Sequence, residues 1–269
     1  MLRNASRWTS NAASDLRGVV SGIPQLVGEE VAAIYFNEDR HRGLLDPLVT
    51  FDHLLSKDGA AISRQRSETS SLTLVFEDAV GDFVRDDGIG NNVVLRPGDL
   101  CWLDTVEGDP NPPSRAASGG RVHALQVGIR QQTSAAWGFS EPLYVSAADM
   151  TTRSGPGYRV RTALGGDDVG MRDEADIRRD LTILDGFVYQ GRFVQSLRPQ
   201  QKAWIYVASG RIEVTASGAC SIVSEGFAIA VGPRRYDSKI TIAAPRIAHF
   251  VLIASVLSGN VSPQAKWVQ

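Results

Sequence analysis

The sequence predicts an all-β chain folded as two tandem antiparallel barrels. Three observations carry this. The dominant hydrophobic period is two, as in a half-buried strand, and not the 3.6 of a helix. Gly, Pro, Asn and Asp interrupt the apolar runs about every 8–12 residues, the spacing found in sandwiches and barrels. The two halves of the 269-residue chain resemble each other, and the length suits two domains of about 130 residues each.

Residues 1–17 hold three arginines but no apolar stretch of signal-peptide length, which predicts a frayed or locally helical tail and a cytoplasmic location. From Ser71 onward, Leu72, Leu74 and Phe76 alternate with Thr73, Val75 and Glu77. Val122, Ala124 and Gln126 alternate with His123, Leu125 and Val127. In the second half, a strand at Phe193 to Leu197 reaches the turn Arg198-Pro199. Trp204 to Val207 then runs to Ser209-Gly210, and Arg211 to Val214 leaves it as a returning hairpin strand. Arg96-Pro97-Gly98-Asp99 and Ser224-Glu225-Gly226-Phe227 occupy similar places in the two halves. Gly88-Ile89-Gly90 reads as a hairpin turn, Ala175 to Asp180 as a short helical turn, and Ser134 to Phe139 as irregular. The expected divisions are a tail at 1–17, a first barrel at 18–145, a connector at 146–180, a second barrel at 181–258 and a tail at 259–269.

Composition narrows the function. With 28 basic and 30 acidic residues the net charge is −2, so direct binding to nucleic acid through phosphates is not expected. No apolar run approaches the roughly 18 residues of a membrane span. Cys101 and Cys220 both lie in apolar runs and read as buried small hydrophobes rather than a redox or zinc pair. No Gly-x-Gly-x-x-Gly follows a strand, and no Gly-x-Ser-x-Gly elbow is present. Trp102, Trp137, Trp204 and Tyr206 read as core or interface. Only four histidines occur: His41, His53, His123 and His249.

Several segments resemble the pirin family. They are Leu44-Leu45-Asp46-Pro47-Leu48 running to Asp52-His53, then Gly90-Asn91 followed by Arg96-Pro97-Gly98-Asp99-Leu100-Cys101-Trp102, then His123-Ala124-Leu125-Gln126-Val127. The resemblance covers about residues 17–145 and weakens to a general cupin-like strand pattern over 180–258. It implies a bicupin, two cupin barrels in tandem, with the chemistry in the N-terminal barrel. Pirins hold a metal, usually iron, on a His-x-His pair and a later His-x-Glu pair. Alternate residues of a strand share a face, so each such pair points two ligands into the barrel. Carried onto this chain, the first pair falls on Arg64 and Arg66 and the second on Asn111 and Pro113. Arginine stays protonated and proline offers no side-chain donor, so no metal cofactor is expected.

Two readings of those positions stay open. Arg64 and Arg66 share a face, and an inward cationic pair suits a carboxylate or phosphate. Alternatively they pair internally with Glu68, Asp82, Asp104, Glu107 or Asp109. His123 and Glu107 are pocket candidates, able to act as general acid or base if the chain is a metal-free lyase or isomerase. His123 could face into or out of its barrel; His53 and His249 read as structural and His41 as solvated. The resemblance allows two functions. One is a protein, monomeric or homodimeric, that binds a small anion or a protein partner. The other is a metal-dependent quercetin 2,3-dioxygenase using an unrecognised site. The ligand positions favour the first.

Overall fold

The computed structural model describes residues 16–26, 31–37, 39–41, 44–57, 61–62, 69–86, 92–103, 114–116, 121–130, 142–165 and 181–256. Arg64, Arg66, Glu107, Asn111, Pro113 and Trp137 lie outside the described residues, as do 1–15, 134–139, 175–180 and 259–269. Among the described residues, twenty-two strands follow in chain order. They begin β1 (Leu16–Ser21), β2 (Ile23–Leu26), β3 (Val31–Asn37), β4 (Leu48–Lys57), β5 (Ala61–Ile62), β6 (Thr69–Val75), β7 (Phe83–Asp86) and β8 (Asn92–Leu95). Next come β9 (Leu100–Leu103), β10 (Ser114–Ala116), β11 (Arg121–Arg130), β12 (Leu143–Val145), β13 (Thr151–Gly155), β14 (Tyr158–Leu164) and β15 (Leu181–Val188). The last are β16 (Arg192–Leu197), β17 (Gln201–Ser209), β18 (Arg211–Ala216), β19 (Ala219–Ser224), β20 (Phe227–Val231), β21 (Ser238–Ala243) and β22 (Ala248–Val256).

Each half pairs a seven-stranded sheet with a four-stranded one. The first barrel has the order β12-β9-β6-β11-β4-β3-β2 facing β5-β10-β7-β8. The second has β1-β20-β17-β22-β15-β14-β13 facing β16-β21-β18-β19. The two seven-stranded sheets meet at the seam between barrels. Their strands are therefore buried on both faces, one against their own barrel and one against the other, which explains the unbroken burial of β17 and β22. The four-stranded sheets have one wet face, and β18 alternates accordingly. In the first barrel Val75, Leu54, Ala124 and Phe83 fill the interior. In the second, Leu184, Ile205, Val207, Phe250 and Leu252 do so. Between them, Phe36 and Phe51 of the first barrel meet Trp204 and Tyr206 of the second, Phe36–Trp204 at 5.4 Å and Phe51–Tyr206 at 4.9 Å between ring centroids. Lys202 crosses the seam to donate to the Asp46 carbonyl at 2.7 Å.

Some expectations change. The stretch read as a connector, 146–180, contains β13 and β14, which extend the sheet of the second barrel. Strand β1 pairs with β20 and so belongs to the second barrel, although most of it falls in the stretch assigned to the first. It occupies the edge that β12 occupies beside β9. Ser209-Gly210 does not close a hairpin: β17 and β18 sit in different sheets, and Gly210 turns the corner between them at φ 79°. Cys101 is buried as expected, but Cys220 is exposed, because β19 is the edge of a sheet with one wet face. His41 is also buried, at 5% exposure, with Nδ1 3.1 Å from the Asn37 carbonyl and its ring against Phe36.

Candidate functional site: a polar barrel interior and a histidine seam

Strand parity divides each seven-stranded sheet into an inner and a seam face. On the inner face of the first barrel, register aligns Tyr35, Asp52, Gln126, Thr73 and Cys101 in one row across β3, β4, β11, β6 and β9. The same row in the second barrel is Thr162, Leu184, Leu252, Ile205 and Ile229. One barrel therefore keeps a polar wall where the other, Thr162 apart, is filled with apolar side chains. Opposite that wall, β7 sends Arg85 inward. Its guanidinium donates to the Thr73 hydroxyl and, at 2.7 Å, to the Ser71 hydroxyl. Burial pulls the Arg85 pKa down to about 10, against the neighbouring Cys101, and still leaves it a cation at neutral pH.

The seam face carries the histidines. Leu125 opposes His53 and Leu74 in the first barrel, and Val251 opposes Asp185 and Tyr206 in the second. His123 and His249 therefore hold equivalent places in the repeat, and so do His53 and Asp185. Each equivalent pair is bonded: His53 Nε2 to His123 Nε2 at 2.6 Å, and His249 Nε2 to Asp185 Oδ1 at 2.5 Å. Phe76 lies between, its ring centroid 4.6 Å from both His123 and His249. His53 Nδ1 reaches across the seam to the Tyr206 hydroxyl at 2.6 Å, and His123 Nδ1 reaches Asp78 Oδ1 at 2.6 Å. Burial first, then the nearby His123 and His249, lower the His53 pKa to about 3. The hydrogen bond from His123 holds Asp78 below the ordinary carboxylate range.

A second chain of charge runs beside it. Arg161 donates to Asp185, and its other terminal nitrogen lies 3.2 Å from Glu77. Arg159 grips Glu77 with both nitrogens, at 2.9 and 2.5 Å. Burial raises the Asp185 pKa, but the His249 hydrogen bond and the His249 and Arg161 charges outweigh it, so the carboxyl stays below its usual value. Gly98, in the Arg96-Pro97-Gly98-Asp99 segment, makes room for Arg161. It sits at φ +93°, and a Cβ there would lie 2.7 Å from the guanidinium and 2.8 Å from Ala147. Gly98→Ala is therefore expected to cost about 1–3 kcal/mol in backbone strain alone, before any displacement of Arg161, measured by urea unfolding.

The structure brings together only part of what the sequence suggested. His123 faces the seam and not the barrel interior. His53, read as structural, bonds to His123 and Tyr206, while His249 is buried and hydrogen-bonded to Asp185 as expected. Arg85, Asp52 and Thr73 were missed. Their signal was a polar residue at the parity of buried Phe83, Leu54 and Val75.

The metal of the resembling family needs imidazole and carboxylate donors converging inside the first barrel. Among the described residues no group of three or more His, Cys, Asp or Glu side chains is placed to hold a metal ion. The buried guanidinium of Arg85 would also repel a cation there. The described side chains do not fit that metal.

Two antiparallel barrels, each of a seven- and a four-stranded sheet repeating one topology, make this a bicupin. Solved structures agree. GK1651 from Geobacillus kaustophilus superposes with a TM-score of 0.71 at 19% identity, covering 90% of this chain and 95% of that one. A quercetin 2,3-dioxygenase from Acinetobacter baumannii gives 0.71 at 14% identity, covering 91% and 88%. A mutant of Bacillus subtilis oxalate decarboxylase gives 0.63 at 13% identity, covering 91% and 78%. At these identities the likeness establishes the fold. No protein-family model and no curated protein sequence matches the chain. No helix among the described residues is long and apolar enough to cross a membrane.

Proposed function

We propose that the chain is a pirin-like bicupin that binds a small anion inside its first barrel and has lost the metal site of that family. One observation carries the reading: the polar inner row of the first barrel, with Arg85 set against Thr73 and Ser71, has a counterpart in the second that is apolar at every position but Thr162. A buried guanidinium is a planar fork of donors matched to carboxylate or phosphate, and the adjoining hydroxyls add to it. Arg64 and Arg66, at the family's ligand positions, add positive charge to the same barrel in this reading. The second reading is the dioxygenase, in line with the fold shared with a quercetin 2,3-dioxygenase. Calorimetric titration with oxalate, malonate and phosphate, beside elemental analysis of the same preparation, separates the two. Saturable binding of one anion, weakened about 10–100-fold in Arg85→Lys and in Arg64→Ala, is the expected result. Stoichiometric iron, nickel or copper with quercetin-dependent oxygen uptake overturns it in favour of the dioxygenase.

A further inference from the structure

The seam histidines permit a stronger inference, independent of the anion site. The ionised Asp78 carboxylate can only accept, so neutral His123 must place its proton on Nδ1 and accept at Nε2. His53 must then donate from Nε2 and accept at Nδ1, and the Tyr206 hydroxyl must donate to it. Every link holds one proton and all point outward, from Tyr206 in the second barrel to Asp78 at the surface. Asp78 is 54% exposed and the His123 side chain 9%. The entrance is therefore wet and the far end buried.

We propose that Asp78, His123, His53 and Tyr206 form a proton-operated hydrogen-bond switch across the barrel seam. One proton enters from solvent and none leaves. His123 becomes an imidazolium that donates from both nitrogens, to Asp78 and to His53. By net count His123 gains the second proton, at Nε2, and His53 keeps a single proton, moved from Nε2 to Nδ1. Nδ1 now donates to the Tyr206 oxygen, and the phenol proton loses its acceptor among Phe36 and Phe51. The single hydrogen bond from His53 to the second barrel is reversed, and acid loosens the seam.

Among the described residues, the carboxylate bonded to this histidine pair stands at His123. In the turn after β6, Asp78 faces His123, while Glu77 is turned to Arg159 and Arg161 of β14. From β15 and β22, Asp185 is committed to Arg161 and His249. From β17, Tyr206 faces His53, and the Glu225 charge acts on that phenol from the turn before β20. His249, 6.5 Å from His123 between ring centroids, has its Nε2 on Asp185. Burial and the two other imidazoles keep His53 itself uncharged, so it can only change tautomer.

Nitrogen-15 NMR of the histidines across pH tests this on the intact chain. His53 is expected to pass from the Nε2–H to the Nδ1–H tautomer with the same midpoint at which His123 takes its proton. Tyr206→Phe, which has no hydroxyl to strand, is expected to raise the proton affinity of His123 about 3- to 10-fold. Asp78→Asn is expected to lower it, while near-ultraviolet circular dichroism confirms that each variant stays folded. The proposal is overturned if His53 keeps its Nε2 proton while His123 titrates. It is equally overturned if Tyr206→Phe leaves the midpoint in place, or if the chain unfolds before His53 changes tautomer.

Discussion

Replacing Asp185 with alanine is expected to cost about 3–5 kcal/mol of stability, the largest loss from a single seam residue. Asp185 is 2% exposed and accepts from both Arg161 and His249. Removing it leaves the Arg161 guanidinium, itself 3% exposed, as a buried charge without its principal counterion. Urea unfolding at pH 7.5 measures the loss. The repeat suggests the rescue. The first barrel places Ile34 opposite His53, where the second places Arg161 opposite Asp185. Arg161→Ile combined with Asp185→Leu is therefore expected to recover much of what Asp185→Ala loses, since apolar pairs often replace buried ion pairs at little cost. By contrast Arg159, whose side chain is 44% exposed, holds a screened pair, and Arg159→Ala is expected to change stability by less than about 1 kcal/mol.

Stability is expected to fall as pH drops from 6.5 toward 3, well before carboxylates account for it. In the folded protein His53 binds its second proton only near pH 3, while in the unfolded chain it does so near 6.5. Between those values the unfolded state carries more protons, so stability rises with pH and is complete above 6.5. A shift of that size corresponds to roughly 5 kcal/mol over the whole window. Asp78 and Asp185, with pKa values lowered from 3.8, add their own loss mainly at the acid end. The stretch from pH 6.5 to 5 thus belongs chiefly to His53. Denaturant midpoints measured across that stretch should slope steeply in the natural protein and flatten in His53→Phe. An unchanged slope in that variant would remove His53 as the cause.

Much of the fold was legible because period-two patterning depends on local burial, which each strand records in its own residues. The alternation of Leu72, Leu74 and Phe76 against Thr73 and Val75 located β6 and separated its two faces. It could not say which face was the barrel interior, because both are buried and each carries apolar residues, Leu72 and Leu74 on one and Val75 on the other. For the same reason the side of His123 was undetermined: β11 is buried on both faces along most of its length. The Ser209-Gly210 hairpin failed because a glycine corner between sheets and a hairpin turn share the same residues. The polar inner row of Asp52, Thr73 and Gln126 was present in the sequence. Its meaning needed register, since those residues come from three strands and become a wall only once paired.

By itself the sequence determined the strands, the two-barrel plan and the near-neutral net charge. Tertiary structure alone decided that the histidines meet. His53 and Tyr206 are 153 positions apart, and His53 and His123 are 70 apart. Nothing in the local pattern of any of these strands encodes a partner on another. That pairing comes from packing two seven-stranded sheets face to face, where burial forces each polar group on the seam to find its partner from the other strands that arrive there.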